Sequence, residues 1–138
     1  MGVEIDIVYE GELICEATHG PSKDKVKTDA PVDNGGKGAA YSPTDLVATA
    51  LGTCMVTVMG LIANKNGLDL GGTRIHVLKE MTADPVRRIG EITVKVMLPP
   101  DRQFSAEDRA KLERAAEVCP VKKSLHPDVK VNVEFVYG

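Results

Sequence analysis

Three cysteines are the residues of this chain with the most distinctive chemistry. Cys15, Cys54 and Cys119 are an odd number, and no two of them form a C-x-x-C pair, which argues against a structural disulfide framework. Cys15 shares an alternating strand face with Leu13 and Ala17, so we interpret it as a small core residue. Cys54 and Cys119 are therefore the candidates for a reactive pair of thiols in a reducing compartment.

Cys119 occupies a position where the backbone favours a thiolate. It lies directly before Pro120, at the expected end of a second helix, and residues 121–125 are expected to form a further helical turn. Free N–H groups at the start of such a turn, with Lys122 and Lys123 close by, stabilise a negatively charged sulfur. We therefore predict that Cys119 is accessible and acidic.

Cys54 lies in the middle of a long helix whose ends the sequence marks. Ser42 is a typical N-cap, Pro43 suits the first helical position, and Asp45 can close a capping box on Ser42. Gly67 can take the left-handed conformation that ends a helix. Cys54 itself has two interpretations, a small core hydrophobe or a reactive thiol.

The segment 46–63 of this helix contains no charged residue, so the helix needs cover on every side. Its length would permit a membrane span, but its threonines and glycines and the absence of a basic flank favour a buried helix. A monomer in which loops and the second helix complete the cover is the alternative, but one small sheet and one half-polar helix cover only about half of the central helix. The sequence therefore predicts a dimer in which a second copy covers the rest.

Alternating apolar residues predict strands on both sides of the helix. The predicted strands lie at 3–9, 13–18, 26–29, 74–81, 91–98 and 129–137, and a second helix begins after Ser105. The order β-β-β-α-β-β-α-β indicates an α+β fold, with an N-terminal β-meander, a long buried central helix, a β-hairpin, a second helix and a C-terminal strand. No shift in composition suggests a boundary, so we expect a single domain over 1–138.

Composition and charge exclude several classes of function. Hydrophobic residues make up 43% and charged residues 27%, as in ordinary soluble domains. The net charge of -3 gives no reason to expect a nucleic-acid partner. The first residues alternate acidic and apolar side chains and lack a basic region before an apolar run, so we expect no signal peptide, no membrane partner and a cytoplasmic protein.

Two motifs together resemble the OsmC/Ohr family of osmotically inducible and organic hydroperoxide resistance proteins. The segment 42–45, Ser-Pro-Thr-Asp, and the helix up to Cys54 are similar to the family helix that begins S/T-P-x-(E/D) and carries a peroxidatic cysteine. The segment 119–125, CPVKKSL, is similar to the family motif (A/V)-C-P-V-x-K-(S/T)-L, which carries the partner cysteine. The two motifs occur in the family's order, and the resemblance covers nearly the whole chain.

The resemblance implies an intertwined homodimer with the two long helices at its centre. It also implies that Cys54 attacks an organic hydroperoxide and becomes a sulfenic acid, and that Cys119 resolves this acid as a disulfide. An unidentified dithiol would then reduce the disulfide, with no cofactor and no metal. This chemistry agrees with the residue types, because a thiolate is the nucleophile and a sulfenic acid condenses with a nearby thiol.

One departure from the family concerns the cation beside the thiolate. The family's hydroperoxidases use an arginine from an N-terminal strand or loop, which stabilises the thiolate, and a glutamate that orients the arginine. Here no arginine precedes Arg74. His19 or Lys37 is the alternative cation that the sequence offers.

A second departure concerns the acid. Thr44 occupies the position of the family glutamate, ten residues before Cys54, and Asp45 follows it. Asp45 matches the variant motif of an OsmC-like branch and has two interpretations. It is either a helix-capping carboxylate or a catalytic acid that orients the cation meeting Cys54.

Two alternatives fit the same residues. Cys54 and Cys119 with His19 or His126 could bind zinc, but no two of these ligands have the usual short spacing, so we assign no metal site. A dimeric OsmC-like protein that binds a small lipid-like or aromatic molecule, with little or no peroxidase activity, would use the same fold and an apolar pocket.

Overall fold

The computed structural model describes all 138 residues and forms two compact units, Met1–Val47 and Ala48–Gly138. The elements in chain order are β1 (Ile5–Gly11), β2 (Ile14–His19), β3 (Lys25–Asp29), a 3₁₀ turn (Val32–Asn34), α1 (Pro43–Lys65), β4 (Arg74–Thr82), β5 (Arg88–Leu98), α2 (Ala106–Glu117), α3 (Pro120–Ser124) and β6 (Lys130–Tyr137). This order confirms the predicted α+β class and its succession of elements, including the helical turn after Cys119. The prediction of one domain stays a prediction.

In the first unit, β1, β2 and β3 form the predicted antiparallel meander. Ile7, Ala17 and Val26 lie opposite one another in register and give the sheet an apolar face. The alternation in β1 is typical of a half-buried strand, but this expectation is wrong within a single chain, because every residue from Ile5 to Glu10 is exposed. The apolar face exists, but nothing in the first unit covers it along β1.

The N-terminal end of α1 has the predicted capping box. The Asp45 N–H donates to Ser42 Oγ at 3.1 Å, and the Ser42 N–H donates to the Asp45 carboxylate at 2.9 Å. These reciprocal bonds satisfy N–H groups that the first helical turn leaves without partners. At the other end Gly67 has the left-handed φ of 67°, and the Leu68 N–H donates to the Ala63 carbonyl, so the predicted helix stop is also confirmed.

In the second unit, β4 and β5 pair antiparallel, and β6 pairs parallel to β5. The core is a set of apolar side chains from α1, β5 and α2. Its largest fully buried members are Leu51, Met55, Met59, Ile92, Val94, Val96 and Leu112. The parallel pair requires a crossover, and α2 and α3 provide it, which places the chain between these two helices against the core.

Only one side of α1 is buried in the chain. The buried residues recur every three or four positions, as on one face of a helix: Ala48, Leu51, Gly52, Met55, Met59 and Ala63. Thr53, Thr57 and Leu61 are exposed, Leu61 by 58%. By length and composition α1 could also cross a membrane, a test that core helices of soluble proteins pass as well. The single chain therefore does not bury α1 on every side, as its apolar sequence requires.

Candidate thiol site

The structure brings Cys54 and Cys119 together. Cys54 lies on α1, and Cys119 is the residue between α2 and α3. Both are free thiols, and Cys54 lies close enough to Cys119 to raise the pKa of its thiol. Two residues that are far apart in sequence thus form one site inside the second unit.

Cys119 is the N-cap of α3. Its sulfur accepts a hydrogen bond from the Lys122 N–H at 3.5 Å, and its carbonyl accepts one from the Lys123 N–H. Pro120 occupies the first helical position, where a missing N–H costs nothing. The helical turn that the sequence predicts after Cys119 therefore does direct backbone N–H groups towards the sulfur.

The exposure and acidity that we predicted for Cys119 are wrong. Its side chain is fully buried, in the same apolar cluster as Leu112 and Ala116 of α2. This burial raises the pKa of the Cys119 thiol, because the charged form loses hydration, and the hydrogen bond to Cys54 raises the pKa further. The N–H groups of Lys122 and Val121 act in the opposite direction but do not prevail.

Cys54 is the more accessible of the two thiols. It is partly exposed and lies at the border of the core, between the buried stripe of α1 and the exposed side that carries Thr57. A small molecule arriving from solvent would therefore meet the sulfur of Cys54 before that of Cys119. Apolar side chains, including Met55 and Val58, belong to the same cluster.

Asp45 lies in the capping box at the start of α1. Nine residues separate it from Cys54, which corresponds to about 13 Å along a helix axis. Its observed hydrogen bonds are those of a capping carboxylate. The catalytic interpretation of Asp45 stays a prediction.

The two alternative cations differ in their surroundings within the first unit. Lys37 forms an ion pair with Glu12 at 3.8 Å, and both side chains are exposed. His19 accepts hydrogen bonds at Nδ1 from Ser22, whose hydroxyl lies 2.6 Å away, so the proton of the neutral ring is at Nε2. The His19 ring also lines a cavity of about 370 Å³ whose other lining residues are Ile5, Ala17, Asp24, Val26 and Leu46.

The other candidate site residues, Cys15 and His126, do not form a second reactive cluster. Cys15 is a free, half-buried thiol on β2, opposite Tyr9 and Thr28, as expected of a packing residue. His126 is exposed, and its Nδ1 accepts the Asp128 N–H. The structure contains no group of three His, Cys, Asp or Glu side chains that could hold a metal ion.

One contact of the thiol site is not among the sequence predictions. The ammonium group of Lys122 bonds to the carboxylate of Glu117, across the corner that contains Cys119. The two residues are five apart and belong to different helices, so the i,i+4 spacing rule for a single helix does not reveal them. The only signal in the sequence is that opposite charges flank the Cys-Pro step.

Comparison with known proteins gives a consistent assignment. The family profile described as OsmC-like protein matches residues 35–134. No curated protein matches the chain. A crystal structure from Psychrobacter arcticus 273-4, of a protein described as an osmotic stress induced and detoxification response protein, is 40% identical. The match covers 95% of this chain and 93% of the Psychrobacter chain, with a TM-score of 0.89.

More distant structures share the fold. The organic hydroperoxide resistance protein OsmC of Legionella pneumophila is 18% identical, with a TM-score of 0.77 over 99% of this chain and 97% of that chain. An organic hydroperoxide resistance protein of Bacillus subtilis is also 18% identical, with a TM-score of 0.68 over 98% of both chains. At this identity the likeness concerns the arrangement of the elements.

Proposed function

Because this chain belongs to the OsmC-like protein family, we propose that it is a thiol-dependent peroxidase that reduces organic hydroperoxides in a stress response. The observation that carries the proposal is that Cys54 and Cys119 share one site, in which Cys54 is close enough to raise the pKa of the Cys119 thiol. Relatives named for organic hydroperoxide resistance and for detoxification support the substrate class. The proposal assigns Cys54 as the peroxidatic thiol and Cys119 as the resolving thiol.

The surroundings of the two thiols support this division of roles. Cys119 retains its proton, because burial and the hydrogen bond to Cys54 raise its pKa, whereas Cys54 is the thiol that a solute can reach. In the first step the Cys54 thiolate attacks the terminal oxygen of the hydroperoxide and the O–O bond breaks. Cys54 becomes a sulfenic acid, and the alkoxide leaves.

The proton on Cys119 can then be transferred to the alkoxide. The alkoxide is a strong base, and protonation by the buried Cys119 thiol would release it as an alcohol and leave a Cys119 thiolate. That thiolate attacks the sulfur of the sulfenic acid, the S–S bond forms, and hydroxide leaves and is protonated to water. A dithiol reductant supplies two electrons and two protons to restore both thiols.

The proposal includes a cytoplasmic homodimer. The exposed side of α1 and the uncovered apolar face of the meander are the surfaces that a second copy would bury. Ile5, Ile7 and Leu61 are each more than half exposed in the single chain, and apolar surface of this kind marks an interface. Asp45, and either His19 or Lys37, remain the proposed acid and cation.

A titration of free thiols tests the function. Reduced protein treated with excess cumene hydroperoxide should lose two thiols per chain and form a Cys54–Cys119 disulfide that dithiothreitol reverses. The Cys54→Ser variant should keep its Cys119 thiol and form no disulfide, and Cys15→Ser serves as the matched control that behaves as the wild type. If Cys54 stays reduced under peroxide excess, the peroxidase assignment is wrong.

A specific observation favours a second candidate, a dimeric OsmC-like protein that binds a small molecule. The cavity of about 370 Å³ in the first unit has apolar walls, which include Ile5, Ala17 and Val26, and two polar lining residues, His19 and Asp24. Such a cavity suits an apolar ligand with one polar group. Tight binding of aromatic or aliphatic probes by a protein whose Cys54 resists peroxide would favour this candidate.

A further inference from the structure

Lys122 contacts the thiol site in two ways. Its backbone N–H donates to the Cys119 sulfur at 3.5 Å, and its ammonium group forms an ion pair with the Glu117 carboxylate. Glu117 is the last residue of α2 and Lys122 belongs to α3, so the ion pair spans the corner in which Cys119 lies. Lys122 therefore links the arrangement of α2 and α3 to the position of the Cys119 sulfur.

The neighbouring lysine has no such role. The Lys122 side chain is 25% exposed, whereas Lys123 is exposed and its side chain has no ion pair or hydrogen bond within the chain. In the motif CPVKKSL the lysine that matches the family pattern is Lys123, and Lys122 occupies the variable position. The contact with Glu117 is thus a property of this chain and is not contained in the family motif.

Disulfide formation requires movement at this corner. A disulfide places its sulfur atoms about 2.05 Å apart, much closer than two hydrogen-bonded thiols. Cys54 is held inside a helix of 23 residues, so the approach falls to Cys119, which lies between two helices. How often the Cys119 sulfur reaches the attack position then depends on how firmly α3 is held against the end of α2.

We propose that Glu117 and Lys122 are positioning residues for the resolving step, in which the Cys119 thiolate attacks the sulfenic acid on Cys54. The inference rests on the proposed function and extends it to residues that do not touch the peroxide. Loss of the ion pair would leave oxidation of Cys54 intact and would slow closure of the disulfide. The sulfenic acid would then live longer, and excess peroxide would convert more of it to the irreversible sulfinic acid.

Single-turnover kinetics with cumene hydroperoxide separate the two steps. In Lys122→Met and in Glu117→Gln, we expect Cys54 to be oxidised at the wild-type rate. Closure of the disulfide should slow by about three- to fivefold, the upper part of the range expected for losing one partly exposed ion pair. The fraction of Cys54 sulfenic acid trapped by dimedone and the yield of sulfinic acid should both rise. If the ion pair had no positioning role, its loss would change neither quantity.

Two controls make the outcome decisive. Lys111→Met removes an ion pair with Glu107 at 3.3 Å on α2, together with the hydrogen bond from Lys111 Nζ to Asn66 Oδ1 at 3.1 Å, and should not change disulfide closure. The reversed pair Glu117→Lys/Lys122→Glu should restore closure to within about twofold of the wild type, because it restores the attraction. Wild-type closure in Lys122→Met, an equal slowing in Lys111→Met, or no recovery in the reversed pair would each overturn the proposal.

A second oxidant distinguishes this proposal from the proposed function. Diamide accepts two electrons and two protons from a pair of thiols and gives a disulfide and a hydrazine, without a sulfenic acid. If cumene hydroperoxide leaves wild-type Cys54 reduced, the peroxidase function fails, and closure by diamide alone decides the positioning role. Slower closure in Lys122→Met than in Lys111→Met supports that role, and equal rates refute it.

Discussion

Gly52 allows α1 to lie close to β4, two residues before Cys54. A Cβ atom at this position would lie 2.8 Å from Cγ2 of Val77 and 3.3 Å from Cγ2 of Ile75. The first distance is shorter than real contacts between carbon atoms. The nearest atoms belong to β-branched side chains with restricted χ1 rotation, so they cannot easily move aside. The variant Gly52→Ala should therefore force α1 away from the sheet.

Two opposing effects set the size of the change. Alanine is more favourable than glycine inside a helix by about 1 kcal/mol, and overpacking of a core costs about 1–3 kcal/mol. We expect Gly52→Ala to lower the free energy of unfolding by about 0–2 kcal/mol. Gly60 lies in the same helix with no atom within 4 Å of its would-be Cβ, so Gly60→Ala should raise it by up to about 1 kcal/mol.

Urea unfolding of the two variants at one protein concentration measures this difference. Both variants gain the same stability from helix propensity, so the difference between them is the overpacking cost alone. The free energy of unfolding of Gly60→Ala should therefore exceed that of Gly52→Ala by about 1–3 kcal/mol. Sedimentation of both variants should match the wild type, which checks that the substitutions act within the chain. Equal stabilisation by the two alanines would refute the close packing of α1 on β4.

Three further predictions follow from burial, capping and exposure. Because the folded-state pKa of Cys119 is raised above its unfolded value near 9.0, the stability that the buried thiol contributes is present below that pH and falls as pH rises. Under reducing conditions, urea unfolding of the wild type should therefore weaken more between pH 8 and pH 10 than that of Cys119→Ala, and parallel losses would contradict the assignment. Ser105→Ala removes the hydroxyl that accepts a hydrogen bond from the Asp108 N–H at 3.0 Å, and it should lower the free energy of unfolding by about 1 kcal/mol. An unchanged midpoint of urea unfolding would contradict this role of Ser105. Leu61→Lys should yield a folded monomer in sedimentation, whereas Val86→Lys, at an equally exposed position on the β4–β5 turn, should not, and a wild-type sedimentation coefficient for Leu61→Lys would refute this interface.

The elements that the sequence predicts well are those whose determinants are local. Ser42 and Asp45 form the capping box that their spacing indicates, and Gly67 ends the helix as expected, because each contact joins residues within one turn. The helical turn after Cys119 is equally local, since the proline and the N-cap are neighbours. Both cysteine positions and their likeness to the family motifs could therefore be read without a structure.

The burial of Cys119 could not be predicted in the same way. Local rules describe its N–H partners correctly, but its pKa depends first on the apolar side chains that surround it, which come from α1, the sheet and α2. The exposed state of β1 has a similar origin. Its alternation correctly identifies an apolar face, but alternation carries no information on whether the same chain covers that face.

The parallel pairing of β5 with β6 has a consequence for the newly synthesised protein. Residues 99–129 lie between the two strands, and a ribosome adds about 5–20 residues per second, so β5 waits roughly 2–6 s for its partner. During that time one edge of an apolar strand that carries Ile92, Val94 and Val96 is unpaired. Such an edge pairs readily with other chains, so the new chain has an aggregation-prone edge until β6 has been made and has paired.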